Sequence, residues 1–261
     1  VRFDVNLSIL FTELPLPERF EAAARAGFDA VELWWPFAAP CPADREIDAL
    51  RRSIEEAGVR LVGLNFDAGD MAAGERGLLS RPDGSARFQA NVEVAAGLAG
   101  ALGCRVLNAL YGNTVAGLPP EAQRELALSN LSLAAKAAAG VGATVVVEAL
   151  NSYESPDYPI TSSAAAFEVI DQVGADNVAF LADLYHLHRM GEDVLALIDT
   201  SAHRFGHVQI ADAPGRGQPG SGAMPYDQIF ERLETSGYRG HVGLEYRPVG
   251  PSAESFGWRS A

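Results

Sequence analysis

Short apolar runs alternate with longer stretches of helical periodicity along the whole chain. The runs at 3–9, 29–34, 60–65, 105–110, 144–150, 178–183, 205–211 and 241–246 are rich in Val, Ile and Leu. Near-continuous apolar runs of this length suit strands buried on both faces, as in a parallel sheet covered by helices. Helical patterns fill the intervals at 17–26, 43–57, 85–102, 119–139, 161–173, about 191–201 and 225–236. Gly27, Gly58, Gly103, Gly140, Gly174 and Gly237 stand just beyond six of them, where a left-handed residue ends a helix at low cost. Thr161, Ser162 and Ser163 offer an N-cap for the fifth.

Eight strands with intervening helices, repeating at roughly 30 residues, predict one α/β domain over residues 1–261, a single (β/α)8 TIM barrel. A doubly wound nucleotide-binding sheet would need a glycine-rich turn after the first strand, and ILFTELPLPERF contains no glycine. The long connections 66–84, 151–160 and 212–224 all follow strands. In a barrel they share the C-terminal rim, which places an active site there.

Charge narrows the partners. Twenty basic against 34 acidic residues give a net charge of −14, unfavourable for nucleic acid and for a polybasic membrane anchor. Cys41 and Cys104 are too few for a disulfide framework. VRFDVNLSIL reads as a first strand rather than a signal peptide, and no apolar run approaches the roughly 18 residues that span a bilayer. A soluble cytoplasmic protein is the expectation.

The chemistry concentrates at the ends of the last four strands. Glu148 lies in VVVEALN, Asp183 in AFLADLYHLHRM, Gln209 in GHVQIAD and Glu245 in HVGLEYRP. Each is flanked by apolar strand residues, where an uncompensated charge is costly to bury. Successive barrel strands are neighbours, so the four can converge around a divalent cation. Three carboxylates and an amide oxygen form an all-oxygen donor set that favours Mg2+ or Mn2+ over zinc.

The sequence resembles the hydroxypyruvate isomerases of the xylose-isomerase-like barrel superfamily, which also holds ketose 3-epimerases and endonuclease-IV-type enzymes. The resemblance runs from NLSILFTELP (6–15) to EYRP (245–248), with AGDMAAGERG (68–77), DLYHLHRM (183–190) and GHVQIAD…RGQPGSG (206–222) its most specific pieces. It implies that Glu148, Asp183, Gln209 and Glu245 are metal ligands, with Glu148 and Glu245 also the acid/base pair. Glutamine at 209, where sugar epimerases usually carry histidine, fits the hydroxypyruvate isomerase branch. The implied reaction interconverts hydroxypyruvate and tartronate semialdehyde through an enediolate; a 2-oxo-tetronate isomerase or a ketose 3-epimerase is the alternative on the same scaffold. A homodimer or tetramer also fits the resemblance.

His186 and Arg216 match substrate-contact positions of the superfamily, with Arg216 suited to fork a substrate carboxylate. Glu154 matches a position that binds a sugar hydroxyl in epimerases, although a surface carboxylate reads equally well. Asn108 and Asn6 either point into the barrel mouth or satisfy backbone groups. In GERG (74–77), Glu75 and Arg76 either pair with each other or reach substrate from a lid or rim. Trp34 and Trp35 read as a pocket wall or subunit contact. Glu32 reads as an inward structural residue, and His203, His207 and His241 as structural groups at the end of the barrel opposite the active site. Gln218 and Ala223 depart from the usual isomerase pattern, which carries glutamate at both places.

Overall fold

The computed structural model describes residues 1–260; Ala261, the last residue of the span expected above, lies outside the described residues. Eight strands, β1 (Phe3–Asn6), β2 (Ala30–Leu33), β3 (Arg60–Asn65), β4 (Val106–Asn108), β5 (Thr144–Glu148), β6 (Val178–Asp183), β7 (Phe205–Ile210) and β8 (Val242–Leu244), pair in parallel in sequence order. β8 returns to β1 and closes the barrel. The helices are α1 (Leu16–Arg25), α2 (Asp44–Ala57), α3 (Ser85–Leu102), α4 (Pro120–Gly140), α5 (Ser163–Val173), α6 (Leu184–Arg189), α7 (Val194–Ser201) and α8 (Tyr226–Thr235). This is the (β/α)8 architecture that the hydrophobic pattern predicts. No helix among the described residues is long and apolar enough to cross a membrane.

Local chemistry sets most boundaries. Ser162 caps α5 by accepting from the Ala165 amide at 3.2 Å, and Gly58 ends α2 at φ 69°. Gly140 does not end α4 as expected; it is the last helical residue, and the left-handed turn falls at Gly142. The strongest departure is α6, a short helix directly after β6 that the sequence pattern does not predict. The Asp183 carboxylate accepts from the Tyr185 and His186 amides and nucleates it. Its partner α7 then starts at Val194 rather than near 191, capped by Asp193.

β3 and β6 match their apolar runs, while the other six strands are shorter, and Glu245 lies one residue beyond β8. Register aligns Asp183 with Gln209, and Gln209 with Gly243. Gly243 has no side chain to fill its share of the barrel interior. A Cβ there would stand 2.7 Å from Glu32 Oε1, so this glycine makes room for a carboxylate at the barrel centre.

Candidate active site

A cavity of about 140 Å³ opens at the C-terminal rim and is lined by Glu148, Glu154, His186, Arg216 and Glu245 among others. It is small beside the roughly 300–1,000 Å³ of drug-sized ligand sites. Asp183 and Gln209 are buried and are not among its lining residues.

Each carboxylate is held individually. Glu148 Oε2 accepts from Asn108 Nδ2 at 2.8 Å. Glu245 Oε1 accepts from Trp34 Nε1 at 2.8 Å and Asn6 Nδ2 at 3.2 Å, while Oε2 lies 3.3 Å from Arg216 Nη2. Asp183 spends Oδ1 on capping α6, and its Oδ2 has no hydrogen-bond partner. Gln209 Nε2 donates to Glu32 Oε1 at 2.7 Å, which leaves Gln209 Oε1 buried and equally unpartnered. Oxygen atoms of Glu148 and Asp183 and a ring nitrogen of His186 lie within 4.8 Å of one another.

Burial dominates the electrostatics. It raises the Glu148 carboxyl well above its ordinary range, reinforced by the charges of Glu245 and Asp183. It lifts Glu245 to about 8 against the opposing pull of Arg216, and Asp183 to about 6. Three mutually repelling acids with two orphaned buried oxygens are what a hard divalent cation would compensate. The donor set therefore fits such an ion.

His186 stays neutral, because burial and the nearby Arg216, Arg76 and Arg189 drive its pKa well below the usual value. Its Nδ1 accepts from the Asn151 amide at 3.0 Å. The proton is therefore on Nε2, 3.6 Å from Asp183 Oδ2. Arg216 is held between Glu154 at 3.0 Å and Glu245, and Tyr185 donates its hydroxyl to the other Glu154 oxygen.

Two residues expected to bind substrate, Glu75 and Asn108, do not line this cavity. Glu75 does not face the cavity: its Oε2 accepts from the Asp70 amide at 2.6 Å, folding the loop onto itself, and Oε1 lies 3.9 Å from Arg81 Nε. Its neighbour Arg76 lines the cavity instead. Asn108 sits beneath the cavity as a donor to Glu148 rather than as part of its wall.

His207 lines an opening at the N-terminal end of the barrel with Arg60, Thr144 and His241, the end where the sequence places it, but it also reaches into the interior. It is two residues before Gln209 on the same inward face of β7, and its Nε2 lies 2.7 Å from Glu32 Oε2. Asp4, with both oxygens buried and unpartnered, completes this deeper layer. Trp34 is a donor to Glu245 as well as a wall. Strand alternation could have flagged His207; nothing local in the sequence signals the Trp34 contact.

The xylose isomerase-like TIM barrel family matches residues 20–260. A Streptomyces coelicolor protein provisionally named hydroxypyruvate isomerase is 57% identical, covering 100% of this chain and 96% of the relative. The Escherichia coli hydroxypyruvate isomerase is 35% identical over 99% of this chain and 98% of its own length. A Haemophilus influenzae 2-oxo-tetronate isomerase is 33% identical over 98% and 97%. Among solved structures, a Brucella melitensis protein described as a family 2 AP endonuclease superposes with TM-score 0.91 and 39% identity, over 99% of this chain and 98% of that one. Coverage and identity over essentially the full length lead to one conclusion: the chain belongs to the xylose isomerase-like TIM-barrel family, within its group of hydroxypyruvate isomerase relatives.

Proposed function

We propose that the protein interconverts hydroxypyruvate and tartronate semialdehyde. The observation that carries this reading is the pair Glu148 and Glu245, two buried carboxyls that line one small cavity. Carboxyls placed in this way can pass protons to and from a substrate carbon. One glutamate takes a proton from the hydroxymethyl carbon beside the carbonyl. The resulting enediolate is reprotonated on the former carbonyl carbon, and the hydroxyl proton passes between the two oxygens. His186 Nε2–H is placed to donate to a substrate oxygen. Arg216 holds Glu154 and Glu245 apart and keeps positive charge beside the developing oxyanion. A divalent cation, Mg2+ or Mn2+ by donor type, would be held by Glu148, Asp183, Gln209 and Glu245 and would stabilise negative charge on the substrate oxygens.

Isomerisation of a 2-oxo-tetronate is the second reading, favoured by a relative of comparable identity bearing that name. The small cavity disfavours a ketose 3-epimerase acting on full-length sugars. The net charge of −14 disfavours a nuclease. The test is isomerisation by chelator-treated protein, with Mg2+ or Mn2+ restored, across hydroxypyruvate, 2-oxo-tetronates and ketohexoses. Metal-dependent turnover highest on hydroxypyruvate is expected; preference for a longer substrate overturns the assignment.

A further inference from the structure

We propose that Arg76, on the loop after β3, binds the substrate's carboxylate and so selects an oxo acid over a neutral sugar. The inference rests on the isomerase reading above and adds the residue that sets its substrate class. Three arginines line the cavity: Arg76, Arg216 and Arg247. Arg216 has its charge engaged by Glu154 and Glu245. Arg247 is exposed, and its charge also acts on Glu154.

Arg76 differs from both. Its Nη1 donates to the carbonyls of Met71 at 2.9 Å and Glu75 at 2.7 Å, and its Nε to Ser155 Oγ at 3.2 Å. All three partners are neutral. They fix the guanidinium against the cavity without compensating its charge. The adjacent Glu75 carboxylate is turned away toward the Asp70 amide. Glu154, the acid whose charge reaches Arg76, is already paired with Arg216. A half-buried, preorganised cation with no carboxylate partner among the described residues is the place for an anionic ligand group. Arg216 cannot take that group without surrendering an existing ion pair.

The loop itself is anchored for this role. The Gly112 amide donates to Arg76 O at 3.0 Å, and Gly77 bridges to Tyr111, so the segment is stitched to the loop after β4. The cation is therefore delivered from a built edge.

The test is calorimetric titration of the full-length protein with Mg2+ and D-glycerate, a three-carbon acid with no carbonyl to isomerise, against glycerol. Arg76→Gln keeps a donor for the loop carbonyls and removes the charge; Arg76→Lys keeps the charge. Glycerate affinity is expected to fall roughly 30- to 1,000-fold in Arg76→Gln and to recover in large part in Arg76→Lys. Circular dichroism and thermal melting check that both variants are folded. The proposal is overturned if Arg76→Gln binds glycerate as tightly as wild type. It is equally overturned if Arg247→Gln loses more affinity than Arg76→Gln, or if wild type does not prefer glycerate to glycerol. Hydroxypyruvate turnover by wild type, measured in parallel, reports separately on the isomerase reading: no turnover with Arg76-dependent glycerate binding removes that reading and retains this one.

Discussion

Gln209 Nε2 donates to Glu32 Oε1 at 2.7 Å across the barrel interior, and this bond decides which end of the amide is available to a ligand. A carboxylate only accepts, so the NH2 must face Glu32 and the carbonyl oxygen is left free. Glu32 also accepts from Asn6 at 3.0 Å, which in turn donates to Glu245, and it pairs with His207. One buried acid thus orients two of the four candidate ligands.

Replacing Glu32 with Ala is expected to weaken metal affinity or kcat/KM by about 10- to 100-fold, as removal of ligand-orienting partners does. It also removes the nearer of two acids beside the buried His207, leaving Asp4 at 4.0 Å, and is expected to lower stability. Metal titration and urea unfolding of Glu32→Ala check both effects. Wild-type metal affinity in a folded variant would show that Gln209 needs no such support.

Gly77 adopts φ 105°, and a Cβ there would stand 2.0 Å from the Leu110 carbonyl oxygen. Gly77→Ala must therefore push the loop carrying Arg76 away from the loop after β4. The expected cost is on the order of 1–3 kcal/mol of stability. KM for an oxo-acid substrate should rise more than kcat falls, because the chemistry-bearing strand ends are untouched. Steady-state kinetics and thermal unfolding of the variant measure this.

These relationships mark how far the sequence could be read. Apolar runs and capping residues located all eight strands and most helices, because burial on both faces and helix ends leave local signatures. Glu148, Asp183, Gln209 and Glu245 were legible as polar residues within apolar runs. The Glu32–Gln209 bond was not, since it joins β2 to β7 across the closed interior and depends on the gap left by Gly243. Helix α6 was missed because its nucleating cap, Asp183, was read as a ligand alone. The choice between Glu75 and Arg76 was equally hidden: irregular loops have no periodicity to show which side chain faces inward.

His241 supplies a pH dependence separate from the site. Burial, together with Arg2 and Arg60, lowers its pKa from 6.5 to about 4. In this range the unfolded chain binds the proton that the folded chain refuses, so stability rises with pH. The contribution is full above about 6.5 and is lost as pH falls toward 4. The drop in melting temperature between those pH values should be smaller in His241→Gln than in wild type. Parallel calorimetric scans of the two proteins decide it, and an equal drop would remove His241 from the acid sensitivity.

Glu148 and Glu245 are the residues proposed to move the substrate proton. The direct measurement is solvent deuterium incorporation at carbon, followed by NMR, for hydroxypyruvate with Mg2+- or Mn2+-loaded wild type, Glu148→Gln and Glu245→Gln. Rapid incorporation is expected with wild type and a loss of at least about 100-fold in each variant, the lower end of what a positioned acid or base contributes. Near-native exchange and turnover in both variants would contradict it.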